Sequence, residues 1–298
     1  MMAVAQPWSA LLEPVHHDLQ EVEGLMARLV AEVDEPLGSG LRHVLASGKR
    51  LRPALVLLSG RLFVAPDGAF HRLAAAVEML HTATLIHDDL VDGAALRRGR
   101  ATLHTLWPAG AAVLAGDHLM ALAVGLVADL ACPRVVSVFA GALREMSGGE
   151  IRQLLRRPTR ENAREEYYRR AEAKTASLCA AAAQAAGILA GGGDVEVAAL
   201  REYGLELGRA FQIADDVLDL VGDEGVLGKP AGSDVRQGNL TLPTILYLEH
   251  AEHRGEPGWD LWPPADEHAA RVLIEAVRAS PAVGQALAEA HAHARAAQ

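Results

Sequence analysis

The sequence predicts an all-α protein, and three observations carry that prediction. Half of its 298 residues are hydrophobic while only 4% are aromatic, so Ala and Leu fill the interior, a bias that favours helix over strand. Apolar residues recur at helical spacing in successive segments separated by Gly, Pro and Asp. Two distant stretches, HTATLIHDDLVD (His81 to Asp92) and FQIADDVLD (Phe211 to Asp219), repeat Asp-Asp-x-x-Asp inside apolar sequence, which marks helices buried on most sides with one acidic face. Residues 1–298 are expected to form a single domain, because a chain of this length buries a substantial core and no repeat or low-complexity linker divides it.

The elements follow in order. Helical spacing runs from Trp8 to Val33 and is broken by Glu35-Pro36 and by Gly38 to Gly40. Lys49, Arg50 and Arg52 stand after Gly48 at the start of the run Leu51 to Leu58, where Pro53 suits a first helical turn. Cations beside backbone donors at a helix start make a phosphate site, and an exposed basic corner is the plainer reading. The loop Ala65-Pro66-Asp67-Gly68 introduces a long helix ending near Gly93. On it Asp88 and Asp92 lie one turn apart, with Asp89 beside them and His81 two turns earlier on nearly the same line. Arg97, Arg98 and Arg100 come next, as charge balance or as guanidinium forks for diphosphate oxygens.

Helices are predicted over Ala111 to Leu130 and Arg134 to Leu155, with Glu150 and Gln153 on one face in structural roles. Pro158 to Arg170 is charged and reads as a solvated connection and helix start; Lys174 after it reads by itself as a surface lysine. Gly191 to Gly193 is a helix stop with Asp194 as the next N-cap, since no Lys-Ser or Lys-Thr follows in nucleotide-binding register. The second acidic helix carries Asp215, Asp216 and Asp219, has Gln212 one turn before Asp215, and ends near Gly222. A Gly-rich loop then holds Lys229; His250 and His253 read as surface, Gly255 to His268 as an exposed connection containing Trp259 and Trp262, and the last helices as short.

Three carboxylates on one turn repel one another, so each cluster costs stability unless cations neutralise it. Hard oxygen ligands of this kind suit Mg2+, which takes few protein ligands and completes its octahedron with water and phosphate oxygens. One acidic run is most often a solvated face; two at one spacing, both within apolar sequence, weigh against that. The net charge of -10 leaves no basic footprint for nucleic acid. Cys132 and Cys179 in apolar surroundings suit reduced thiols in a cytoplasmic protein. The first residues lack the pattern of a signal peptide, and the apolar stretch Leu119 to Ala128 is too short for a transmembrane segment.

Several separate motifs, in one order, resemble the trans-isoprenyl diphosphate synthases, or polyprenyl synthetases, from about Gly48 to Leu248. They are GKRLRP (Gly48 to Pro53), the first aspartate motif with LRRGRATLH (Leu96 to His104), GD (Gly116, Asp117), GEIRQL (Gly149 to Leu154), KTASL (Lys174 to Leu178), the second aspartate motif, LGKPAGSD (Leu227 to Asp234) and GNLTLP (Gly238 to Pro243). The last two are most similar to catalytic chains making long products of heptaprenyl or octaprenyl type.

The resemblance implies the isoprenoid synthase fold, a helical bundle around a deep central cavity with both acidic clusters at its mouth. It implies head-to-tail condensation of isopentenyl diphosphate with an allylic diphosphate. Asp88, Asp89, Asp92, Asp215, Asp216 and Asp219 would hold Mg2+. Lys49, Arg52, His81 and Arg98 would clamp isopentenyl diphosphate, Arg97, Lys174 and Lys229 would serve the allylic diphosphate, and Thr175 and Gln212 would also bind substrate. A homodimer is expected, with or without a small partner chain. Gly93 and Asn239 depart from many relatives, which carry an acid and a lysine there, and the C-terminal end is expected to be shorter than theirs. Ala83 and Thr84, one turn before Asp88, are too small to floor a product tunnel, so products longer than geranylgeranyl are expected. Open alternatives are a geranylgeranyl or farnesyl diphosphate synthase, a catalytic-type subunit needing a partner, and a class I terpene cyclase.

Overall fold

A computed structural model of the chain describes residues 8–46, 48–63, 67–156, 158–222 and 231–298. Its helices are α1 (Trp8–Leu12), α2 (His16–Ala31), α3 (Leu37–Leu45), α4 (Leu51–Arg61), α5 (Gly68–Val91), α6 (Leu103–Leu106), α7 (Ala109–Ala128), α8 (Pro133–Leu155), α9 (Ala163–Ala171), α10 (Ser177–Leu189), α11 (Asp194–Val221), α12 (Ser233–Arg236), α13 (Leu242–His253), α14 (Glu267–Ala279) and α15 (Ala282–Ala296). The all-α class holds: the one sheet among the described residues is a hairpin of β1 (Leu96–Arg97) and β2 (Arg100–Ala101). Backbone contacts group the chain into two compact units, Met1–Gly141 with Ala181–Arg201, and Ala142–Ala180 with Glu202–Gln298.

The first unit is organised on α5. Asp67 caps it by accepting from Ala69 N at 2.8 Å and Phe70 N at 3.4 Å, satisfying donors that have no intrahelical partner. Phe70, Leu73, Val77, Leu80 and Ala83 are buried against α2, α4 and α7. Gly93, at φ 63, ends the helix in the left-handed region, with Ala94 N bonded back to Asp89 O at 2.9 Å. That backbone requirement is a local reason for glycine at this position. Gly116 on α7 admits the His87 ring, which a Cβ there would meet at 2.3 Å. His87 also lies 3.4 Å from Asp117, so the Gly-Asp pair fits α7 to α5.

The second unit has its own core, including Ile213, Val217, Leu220, Ile245, Leu248, Leu273 and Val277. Trp259 and Trp262 are half-buried against it. The terminal helices are longer than expected, 13 residues in α14 and 15 in α15. Their length follows from packing: Asp266 caps α14 through Ala269 N at 2.8 Å, and Ala282, Ala286 and Ala290 make a close-approach stripe in this core.

Three further expectations are corrected. The helical run from Trp8 to Val33 is interrupted by a 3-10 turn, Glu13–Val15, because Pro14 removes a backbone donor. Asp194 is the first residue of α11, not its N-cap, and pairs with Arg134 at 3.0 Å. Helix α7 begins well before Leu119 and has a mean hydropathy of 1.8, so by length and composition it is able to cross a membrane. Asp117 lies inside the helix without ending it, which is why the shorter apolar run misled.

Candidate active site

The end of α5 carries the first acidic cluster. Asp92 is exposed, Asp88 half-buried and Asp89 buried. The hairpin after α5 reaches back to this cluster: Leu96 pairs with Ala101 and Arg97 with Arg100. Its two turn residues, Arg98 at φ 52 and Gly99 at φ 74, have the paired positive φ of a type I′ turn. That turn directs Arg97, whose Nε donates to Asp89 Oδ1 at 2.6 Å. Burial raises the Asp89 pKa, and the charge and hydrogen bond of Arg97 oppose that rise. His43 fixes the hairpin's other strand, 2.8 Å from Ala101 O and 3.0 Å from Arg100 Nη2.

A pocket beneath the hairpin is lined by Glu78, His81, Asp89, Arg97 and Arg98, among others. Desolvation holds the His81 imidazole well below its usual pKa, reinforced by the Arg52, Arg98 and Arg97 cations. Thus Arg52, Arg97 and Arg98 all act on His81, which bears on the expected grouping of Arg52, His81 and Arg98 and adds Arg97 to it. Arg52 Nε is buried without a hydrogen-bond partner, a costly state that an anion relieves. Lys49 is exposed at the same helix start.

Sequence reasoning missed the groups that build this pocket. Arg50 donates to Glu23 and Glu78 at 3.0 Å each and to Leu45 O at 2.7 Å, so it is a strut of the fold. A Cβ at Gly48 would lie 2.7 Å from Arg50 Nη1, 3.1 Å from Glu78 Oε1 and 3.3 Å from Arg98 Nη1, so glycine makes room for three charged groups. The signal was Glu78, an acid inside the apolar run of α5.

On α11, Asp215 is exposed while Asp216 and Asp219 are buried. Asp216 accepts from Tyr167 Oη at 2.7 Å and Gln212 Nε2 at 2.8 Å. Thr175 Oγ1 in turn donates to Gln212 Oε1 at 2.5 Å. Burial, then the charge of Asp234, pushes the Asp216 pKa up to about 7 against those two hydrogen bonds. Asp219 accepts from Ser233 Oγ at 2.6 Å and Asp234 N at 3.1 Å, anchoring the segment after the described residues resume. Lys174 sits in a π-helical turn (Glu172–Ala176) and pairs with Glu150 at 3.2 Å. Such turns widen a helix by one residue and are frequent at functional sites. Gln153 approaches Asn239 at 3.5 Å. Lys229 lies outside the described residues.

The donor chemistry fits a hard divalent cation held through few protein ligands. Among the described residues no three carboxylate, imidazole or thiol groups form a metal cage, and the carboxylates of each cluster lie along one helix. Mg2+ bound through one or two carboxylates, water and a substrate's phosphate oxygens matches such a set.

A polyprenyl synthetase family model matches residues 34–258. The chain is 38% identical over 272 residues to heptaprenyl diphosphate synthase component 2 of Geobacillus stearothermophilus, covering 91% of this chain and 85% of that protein. It is 37% identical over 249 residues to the octaprenyl diphosphate synthase of Escherichia coli, covering 84% of this chain and 72% of that one. Among solved structures, a polyprenyl synthase from Caulobacter crescentus, complexed with calcium and isoprenyl diphosphate, matches with a TM-score of 0.90 at 35% identity, over 99% of this chain and 91% of that one.

Proposed function

Because this chain belongs to the polyprenyl synthetase family and is a prenyltransferase, we propose that it makes an all-trans polyprenyl diphosphate longer than geranylgeranyl, with Mg2+ as its metal and its two acidic clusters as the ligands. Head-to-tail condensation breaks the C–O bond of an allylic diphosphate, with the electron pair leaving on the diphosphate. The isopentenyl double bond attacks the resulting cation, and a proton is lost to the released diphosphate.

The observation that carries the residue assignment is the buried, unpartnered Nε of Arg52, whose cation acts with those of Arg97 and Arg98 on His81, the last three lining one pocket. A diphosphate is the anion that such a group of arginines recognises, and Lys49, exposed at the same helix start as Arg52, would add charge. Asp88, Asp89, Asp92, Asp215, Asp216 and Asp219 would hold the metal, which when bound supplies charge stabilisation to the leaving diphosphate. Asp92 and Asp215 are exposed and Asp88 half-buried, while Asp89, Asp216 and Asp219 are buried and accept from protein donors. Arg97, Lys174, Thr175, Gln212 and Lys229 serve the allylic diphosphate.

Small side chains support the long product. Thr84 is half-buried and Ala83 fully buried, so neither puts bulk one turn before Asp88. Deeper on α5, Leu80 and Val77 are buried, as is Ala123 on α7, and the floor of the product tunnel would lie near Leu80 or Val77 or on that facing helix. A homodimer in the cytoplasm is part of the proposal. The name of the Geobacillus relative, component 2, favours a second reading in which the catalytic chain acts with a partner.

Purified chain with Mg2+, excess isopentenyl diphosphate and farnesyl diphosphate tests both. Chains of about heptaprenyl length from the protein alone are the expected result. Products ending at farnesyl or geranylgeranyl length overturn the length assignment, and activity only with an added partner selects the second reading.

A further inference from the structure

Tyr167 lies on α9 in the charged run REEYYRR, yet it is 2% exposed. Its ring is held from two sides. The Arg170 guanidinium stacks over it at 5.7 Å from the ring centroid and donates to Leu240 O at 2.7 Å. Tyr168 meets it edge-on, with centroids 5.4 Å apart and planes at 74°. The phenol's one polar atom then donates to Asp216 Oδ2 at 2.7 Å. The other oxygen of that carboxylate accepts from Gln212, whose amide is turned the right way by Thr175.

A buried carboxylate with one donor on each oxygen has a single favourable orientation, and each oxygen keeps a further lone pair for a cation. We infer that Tyr167 is a positioning residue for the second acidic cluster, fixing the Asp216 carboxylate so that it meets a divalent cation without reorganising. The inference rests on the reading of Asp216 as part of the metal site. Tyr167 touches neither substrate nor metal in this account, and its effect passes through Asp216 alone.

The test uses the full chain with Mn2+ as a spectroscopic probe, in the presence of farnesyl thiolodiphosphate, an unreactive allylic analogue. Tyr167→Phe, Asp216→Ala and the double variant are compared with the native protein by Mn2+ paramagnetic resonance and by Mg2+ activation of turnover. Loss of a hydrogen bond to a charged group makes Tyr167→Phe raise the Mn2+ dissociation constant and the Mg2+ activation constant about ten-fold. The apparent KM for isopentenyl diphosphate at saturating Mg2+ stays within about two-fold, since the Phe change leaves that pocket untouched. In the Asp216→Ala background the Phe change adds nothing, as a double-mutant cycle requires when one residue acts through the other.

Asp216→Ala shifting metal binding while Tyr167→Phe does not would overturn this inference and leave the metal reading standing. If Asp216→Ala itself leaves metal binding unchanged, the metal reading falls and the Tyr167 inference with it. A Phe variant that does not fold, or one whose loss adds to that of Asp216→Ala, makes Tyr167 a requirement of the fold and also overturns the inference.

Discussion

Asp88 and Asp215 are less buried than their neighbours Asp89, Asp216 and Asp219, so replacing them disturbs the core least. Asp88→Ala and Asp215→Ala each remove one charge from a crowded helix face, which relieves repulsion. Each is expected to lower Mg2+-dependent turnover at least ~100-fold with an unchanged thermal melt. Near-normal turnover in both would sink the metal assignment. His81 offers a prediction about pH. Its folded pKa lies well below the 6.5 of the unfolded side chain, through desolvation and then the Arg52, Arg98 and Arg97 cations. As pH falls the unfolded chain takes the proton first, so this contribution to stability is full above the unfolded value and is lost as pH drops through the folded one. His81→Asn should therefore flatten the pH dependence of urea unfolding below that unfolded value, by up to about 1.4 kcal/mol per pH unit. Parallel profiles for native and variant protein would show that the imidazole is not held neutral.

Two elements decide what the acidic helix can do. The hairpin of β1 and β2 returns Arg97 to Asp89 through a turn with two positive φ values, and only Gly99 takes its conformation without strain. Helix α5 offers the second test. Its Ala83 is 0% exposed, so a Phe there overpacks the core at a cost of about 1–3 kcal/mol. Thr84 is half-buried, with its hydroxyl bonded to His81 O at 2.8 Å, and admits a larger side chain. Thr84→Phe is expected to keep the fold and shorten the products by several isoprene units, read by mass spectrometry of dephosphorylated products. An active variant with native product lengths would mean that the chain grows along another path.

At the scale of the whole molecule, the exposed apolar face of α7 needs an explanation. Leu114 is 67% exposed, Val124 is 45%, and Val136 at the start of α8 is 39%. Only 39% of the most apolar window of α7 is buried, although its mean hydropathy is 1.8. Apolar surface of this kind is covered in stable proteins, and exposed Asp117 within the same helix favours a protein partner over lipid. A second copy of the chain is the proposed cover. Leu114→Glu should convert a dimer to monomer in light scattering at micromolar concentration. A native protein that is already monomeric there would remove the dimer from the proposal.

The sequence by itself determined the helical class, the approximate bounds of the long helices α5, α7, α8 and α11, and both acidic motifs, because 3.6-residue periodicity and one-turn carboxylate spacing are local properties of the chain. It grouped Arg52, His81 and Arg98 only through the family resemblance and set Arg97 apart from them. It missed the break at Pro14 and the lengths of α14 and α15; the apolar stripe of α14 was readable at helical spacing, whereas the Ala-rich surface of α15 becomes informative only once packed. It read REEYYRR as solvated, since nothing local says that one of two adjacent tyrosines turns inward to Asp216, 49 positions away. Only the tertiary structure decided which carboxylates hold protein donors, that Arg50 is a strut while Arg52 keeps a buried Nε unpartnered, and that Glu78 lies among the arginines. The physical reason is that burial and hydrogen-bond direction set the chemistry of a charged group, and both are properties of residues far apart in sequence.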